Sequence, residues 1–278
     1  MQRRIPRRQA RRCASAFLAH RARAARPLPA ARWYAHPRLN PAWRPDTDDK
    51  FDLGTAAHAV LLEGAQKRLG IVEADDWRKK EAKETREALR AQGKIPLLAR
   101  QAAQVLAMAE AARAYVAQSE LAGIFERGRP EVSLRWREGD VRCKGRLDWL
   151  TDDDTLIVDY KSTGNAEPTA FGERLAPIMG YDLQAAFYLR GVSVALGKPR
   201  PRFVWLVQEI EPPYICSLVA MSPQMEEYAE RKRGMAVAMW QSCMQRNTWH
   251  GYPQRIAYVD LPAYQAARVD ELLEMGTL

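Results

Sequence analysis

The chain has 278 residues, with 43 Lys and Arg against 34 Asp and Glu and a formal net charge of +9. That length suits one decorated α/β domain with a large core, and the absence of any run of about 18 apolar residues leaves no segment to span a membrane. Cys13, Cys143, Cys216 and Cys243 show no metal-ligand spacing, which argues for a reducing compartment such as the cytoplasm and against a zinc or iron–sulfur site.

The positive charge is concentrated at the start. Residues 1–45 carry twelve arginines and no Lys, Asp or Glu, which leaves −3 on the remainder. Such an arm either binds phosphates by releasing counterions, serves as an Arg-rich organellar transit peptide, or is a terminal segment without a role. The main domain is expected over 46–278. Prolines are too frequent between Arg32 and Pro45 for a helix, and the aromatics there are expected to pack on the domain, with His36 at the surface. Next, DLGTAAHAVLLEGA predicts a helix capped by Asp52, with Leu53, Ala57, Val60 and Leu61 as its apolar stripe. His58 falls at the middle of this helix, where a satisfied core histidine and a metal ligand are both open readings.

Residues 77–119 have the composition of long exposed helices, the second of them starting at Pro96. Trp77, Arg78, Lys79, Lys80 and Lys83 offer either a DNA track or a solvated charged face. Glu131 opens a strand, EVSLRWRE, in which Val132, Leu134 and Trp136 alternate with Glu131, Ser133, Arg135 and Arg137. The stretch VRCKGRLDWLTDDDTLIVDYKS, from Val141 to Ser162, then reads as a hairpin. In its first strand Val141, Cys143, Gly145, Leu147 and Trp149 share one face, and Arg142, Lys144, Arg146 and Asp148 the other. In its second, Thr155, Ile157, Asp159 and Lys161 share a face while Leu156, Val158 and Tyr160 turn to the core. A two-residue turn at Asp153-Asp154 sets Asp148 opposite Asp159. Facing carboxylates repel unless a cation lies between them, hard oxygen ligands suit magnesium or manganese, and Lys161 reaches into the same space. A solvated hairpin with a surface ion pair is the bland reading of the same residues.

After the hairpin a short helix is expected over Glu167–Leu175, followed by a helix in YDLQAAFYLRGVSVAL. There Gln184 and Tyr188 lie four apart on one face, and Ala185, Ala186 and Leu189 can pack on the sheet. PRFVWLVQEI and PYICSLVAM read as two further strands, and the segment from Ser222 to Asn247 as a long helix capped by Ser222. No glycine-rich phosphate loop, GxSxG elbow or internal repeat occurs, which removes NTPase, dinucleotide and hydrolase-elbow chemistry.

The order Asp148, then Asp159-Tyr160-Lys161, resembles the PD-(D/E)XK nuclease superfamily, in which an Asp on one strand precedes D/E-x-K on the next. GTAAH at Gly54–His58, the Glu131 strand and YDLQAAFY at Tyr181–Tyr188 bring the resemblance to the RecB-like branch, and within it to RecE-type (exonuclease VIII) phage exonucleases. It runs in order from about Trp33 to about Pro262. The fold implied is α/β, a mixed central sheet flanked by helices with a restriction-endonuclease-like core. The function implied is a 5′ to 3′ exonuclease on double-stranded DNA ends that feeds single strands to an annealing protein, with a homo-oligomer open. The resemblance further implies that Asp148, Asp159 and the Tyr160 carbonyl hold Mg²⁺ or Mn²⁺, with His58 and Glu131 assisting. Lys161 would orient or activate water, and Gln184 and Tyr188 would contact the scissile strand or steady the site. A non-catalytic DNA-binding or scaffold protein on the same fold is the rival reading.

Overall fold

The computed structural model describes residues 49–199, 201–248 and 255–275; the arginine-rich arm and His36 lie outside them. A helix α1 (Asp49–Glu63) leads into two short parallel strands, β1 (Leu69–Val72) and β2 (Ile95–Leu98), joined through α2 (Lys80–Ala91). Pro96 therefore stands in a strand, not at a helix start. Its run IPLL is buried at every position, as suits a short apolar strand under helices, and a two-stranded sheet is all edge, where a residue without an N–H is tolerated. Asp52, expected as a cap, lies inside α1, which already runs from Asp49.

Helix α3 (Ala99–Ala117) follows and buries Ala102, Val105, Met108, Ala109, Ala112 and Val116, so it is a packed helix and not the exposed one its composition suggested. The main sheet then forms in chain order from β3 (Gly128–Glu138), β4 (Val141–Thr151), β5 (Leu156–Thr163), β6 (Arg202–Glu209) and β7 (Cys216–Val219). Only β5 and β6 are parallel, which makes the sheet mixed. Their crossover contains a π-helical turn (Ala170–Leu175), α4 (Ala176–Met179) and α5 (Tyr181–Leu196). Helix α6 (Pro223–Arg246) follows, its first turn capped where the Met225 N–H donates to Ser222 Oγ at 3.2 Å. Helix α7 (Ala263–Glu274) has no buried residue.

Helices cover both faces of the sheet, and so both faces of β5 are core. Ile157 packs with Leu147, Trp205, Phe187 and Trp240 on the α5–α6 side. Leu156, Val158 and Tyr160 pack with Val60, Leu97, Val105 and Met108 on the α1–α3 side. The one-sided burial read from the alternation of β5 is thus too simple: a central strand with a parallel neighbour is covered twice. Side chains buried this completely contribute roughly 1.5–3 kcal/mol each, so a charged group seated between the two cores needs its own explanation.

Candidate metal centre

The hairpin that carries the two aspartates is closed by side chains. Thr151 Oγ1 accepts from the Leu156 N–H at 3.0 Å and the Thr155 N–H at 3.2 Å and donates to Asp153 Oδ1 at 2.6 Å, while Asp154 takes a left-handed φ of 60°. The connection is four residues long, since Thr151 pairs with Gly128 and not with its own hairpin partner. Its register nevertheless equals that of the predicted two-residue turn: Trp149 pairs with Val158 and Leu150 with Ile157, so the next position faces Asp148 toward Asp159.

That next rung is where the strands separate. The Tyr160 N–H donates not to a β4 carbonyl but to Asp148 Oδ2, at 3.1 Å. The opposite edge of β4 is also irregular. Rungs run on either side of Glu131 and Asp148, but those two do not pair, and Glu131 has a φ of 56°. The distortion reverses the side-chain alternation, so Leu147 and Leu150 enter the α5–α6 core while Trp149 enters the α1–α3 core. The expectation that Trp149 shares a face with Leu147 fails for this reason. A break in a ladder re-aims side chains, and here it turns Asp148 and Glu131 toward α1.

Helix α1 meets them with His58. Its Nε2 lies 3.2 Å from Asp148 Oδ1 and 3.5 Å from Glu131 Oε1, and Glu131 Oε2 lies 2.7 Å from Arg146 Nε. Gly54 permits this approach, because a Cβ there would come within 3.3 Å of Ser162 Oγ on β5. On the other side of β5, Lys161 Nζ pairs closely with Asp159 Oδ2 and stands 4.9 Å from the centre of the Tyr181 ring on α5. Gln184 Nε2 donates to Tyr188 Oη at 3.2 Å, and the Tyr188 ring occupies the space left by Gly145, where a Cβ would meet it at 3.1 Å. Tyr160 sends its ring away from this cluster. Its hydroxyl donates to the fully buried Gln208 at 2.7 Å, and Gln208 donates to the Met108 carbonyl at 2.9 Å, which ties the β5 backbone to α3.

Asp159 is the anomaly. It is 0% exposed, and neither carboxylate oxygen has a hydrogen-bond donor among the described residues apart from its ion pair with Lys161. Burial pushes its carboxyl well above the usual range, with the Asp148 charge adding to the shift and Lys161 opposing it. Burial also acts on Asp148, but the His58 hydrogen bond and the Lys161 charge outweigh it and hold that carboxyl low. Burial would lower the Lys161 ammonium, yet Asp159 and Asp148 outweigh it and keep it charged. His58 is likewise raised, because Asp148, Glu131 and Asp159 overcome its desolvation. The Tyr188 hydroxyl is raised by burial and then by the charges of Asp159 and Asp148, so it lies in their field. Buried oxygens without donors, beside a second carboxylate, constitute the donor set that hard divalent cations take. Asp159 and Asp148 fit such an ion. The structure brings His58, Glu131, Asp148, Asp159, Lys161, Gln184, Tyr188 and the backbone of Tyr160 into one neighbourhood.

One neighbour had no sequence signal. Glu63, at the end of α1, brings a ligand atom within 4.8 Å of those of His58 and Glu131, and Arg68 holds its carboxylate at 2.9 Å. It lies five residues from His58, off the i+4 position, so only the tertiary approach of β3 reveals it. The Trp77 run lies apart, in a cleft of about 460 Å³ formed by Trp77, Arg78, Lys83, Arg100 and Gln101 with Asp76. Arg86 stacks on the Trp77 ring at 5.1 Å.

Comparison with known proteins bears on the fold and the family. A search of curated proteins finds no match. Among solved structures, a protein from Eubacterium rectale described as a candidate exonuclease superposes with a TM-score of 0.55 at 13% identity, covering 84% of this chain and 85% of its own. A second structure, SSO0001, reaches only 0.29 at 12% identity over 68% of this chain and 85% of its own, too low to bear on the fold. The sequence profile of a PDDEXK-like domain of unknown function (DUF3799) matches residues 29–262. Since that match spans most of the chain and includes the paired aspartates and the lysine, the chain belongs to this PDDEXK-like family, within the PD-(D/E)XK nuclease superfamily.

Proposed function

We propose that the protein is a metal-dependent DNA exonuclease working from double-stranded ends, in the manner of the RecE-type enzymes its motifs resemble. The single observation that carries this reading is Asp159: a buried carboxylate with no donor among the described residues beyond Lys161, facing Asp148. A non-catalytic scaffold has no use for such a group, because placing a second carboxylate beside Asp148 in the interior costs desolvation and repulsion that one lysine only partly offsets.

Asp148 and Asp159 would hold Mg²⁺ or Mn²⁺, with the Tyr160 carbonyl, His58 and Glu131 as further candidate ligands. When bound, the cation offsets charge on the scissile phosphate and on the leaving oxygen. The chain's own residues do the rest. Lys161 would orient or activate the attacking water and offset charge building on the phosphoryl oxygens. His58 holds Asp148 in place through the 3.2 Å contact. The Gln208–Tyr160 bond fixes the strand that carries Asp159 and Lys161. Gln184 and Tyr188, joined by their 3.2 Å bond, would contact the strand being cut or steady the site. The biological setting that fits is phage-type recombination, in which a homo-oligomer feeds single strands to an annealing protein.

The test is cleavage of duplexes labelled at either end, with and without Mg²⁺. Metal-dependent release of nucleotides from ends is expected, with the label position reporting polarity. A preparation that binds DNA ends and never cuts them, with Mg²⁺ or Mn²⁺, overturns the reading in favour of a scaffold.

A further inference from the structure

The hairpin formed by β3 and β4 buries one face and leaves the other in solvent. Leu134, Trp136, Val141 and Cys143 face the core. The outward face carries Arg135 and Arg137 on β3 and Arg142, Lys144 and Arg146 on β4. The register sets Arg135 directly opposite Lys144 and Arg137 directly opposite Arg142. Opposite side chains on antiparallel strands have Cβ atoms about 4.5–5.5 Å apart, and like charges so placed destabilise the pairing. A strand pair selected only to be soluble would alternate signs.

Nothing in the described chain relieves this repulsion. No acid among the described residues pairs with Arg135, Arg137, Arg142 or Lys144. Glu131 is engaged with Arg146 and His58, and Glu138 is engaged on the buried side with Arg190, Arg233 and the Trp136 ring N–H. The remaining nearby acid, Asp140, sits in the turn at the far end. The cations also have a direction. Along β4, Arg142, Lys144 and Arg146 recur at steps of about 6.7 Å and end two residues before Asp148. Arg146 itself is already bonded to Glu131 beside His58.

We propose that this outward face is a track for the phosphodiester backbone of DNA, leading it to the carboxylate site. The proposal rests on the nuclease reading of that site and adds the surface that delivers its substrate. A single file of paired cations, two strands wide, matches a linear polyanion. It holds no apolar side chain to enter a lipid surface, as Ser133 is the remaining outward residue between Glu131 and Arg135.

The test uses the full chain with Arg135→Gln, Arg137→Gln, Arg142→Gln and Lys144→Gln together, leaving Arg146 in place. Binding to a 30-base-pair duplex in chelator is measured against salt. Four lost phosphate contacts should flatten the log–log salt dependence by about 3–4. Cleavage in Mg²⁺ at moderate salt should fall at least ~10-fold and recover at low salt. The melting temperature should not fall, because repulsion is removed. A smaller variant, Arg137→Lys with Arg142→Lys, keeps the charges and should keep the slope. Asp159→Asn separates the two ideas: it should lose cleavage and retain the wild-type slope. If the quadruple variant flattens the slope while the wild type never cleaves, the track stands and the nuclease reading falls. An unchanged slope with unchanged cleavage overturns the track whatever the site does. Wild-type binding to phosphatidylglycerol vesicles that displaces the duplex would assign the face to a membrane and also overturn it.

Discussion

Asp159→Asn separates catalysis from stability because the structure predicts opposite sizes for the two effects. The substitution keeps the volume of a side chain that is 0% exposed and removes one of two facing negative charges. Lys161 loses its nearest partner but is not left alone, since Asp148 also acts on it. The relief of repulsion with Asp148 and the loss of the Lys161 pair oppose each other, so the net change in folding should fall well below the roughly 3–5 kcal/mol of breaking a buried pair outright, to ~1 kcal/mol. For a domain of this size that is about 2–4 °C in melting temperature. Catalysis should lose at least ~10²-fold, or roughly 2.7 kcal/mol, the usual loss for one electrostatic contributor. A third readout ties the two together. Wild-type protein at 100 times the Mg²⁺ dissociation constant gains about 2.7 kcal/mol from binding, hence roughly 5–11 °C, and the variant should gain little. Single-turnover cleavage of an end-labelled duplex and melting with and without Mg²⁺ measure all three. Cleavage within tenfold of wild type, together with an undiminished Mg²⁺ shift, would refute the assignment of Asp159 as the central ligand.

Other outcomes follow from the same geometry. Excess chelator should abolish cleavage, and Ca²⁺ should stabilise the fold without supporting turnover, because its looser coordination positions water poorly; cleavage in chelator would contradict this. Tyr188→Phe removes the acceptor of the 3.2 Å Gln184 bond but no charge, so it should cost less than ~10-fold in rate, well below Asp159→Asn or Lys161→Ala. His58 and Asp159 both have raised values, so the metal-free protein holds protons there near neutrality that a cation must displace. Mg²⁺ affinity should therefore fall as pH drops through about 7, where the raised Asp159 carboxyl takes up its proton, with proton release on binding, measurable by calorimetry in buffers of different ionisation enthalpy.

The site was legible where it depended on local rules and illegible where it depended on approach. Alternation in Val141–Leu147 and the acidic turn sufficed to bring Asp148 opposite Asp159, even though the turn is built around Thr151 and not two residues long. The GTAAH helix, Gln184 and Tyr188 could be placed because one-turn spacings survive into three dimensions. Glu63 could not, since its partner Glu131 is far along the chain and comes within reach only when β3 packs on α1. Trp149 was assigned to the wrong face because perfect period-two alternation was assumed through a break that Glu131 introduces. The small β1–β2 sheet was missed because Pro96 is both an acceptable first residue of a helix and an acceptable residue of an edge strand, and only the burial of Ile95–Leu98 decides between them.

Glu131 offers the sharpest test of whether that break is functional. A glutamate at φ 56° occupies a region that costs an L side chain about 1–2 kcal/mol and costs glycine nothing. Such strain persists only where the surroundings impose it, and it gathers at functional sites. The side chain returns some of the cost through Arg146 at 2.7 Å and His58 at 3.5 Å, but both contacts are partly exposed and together amount to about 1 kcal/mol at most. Glu131→Gly should therefore leave the melting temperature equal or up to about 4 °C higher, while lowering Mg²⁺ affinity and slowing cleavage at least ~10-fold. Glu131→Asn, which tolerates the same backbone conformation, should behave likewise. If the strained residue is instead a structural clamp, Glu131→Gly will melt several degrees lower and cleave normally at low temperature. A stable variant with impaired metal binding is the result that the geometry of His58, Glu63 and Glu131 requires.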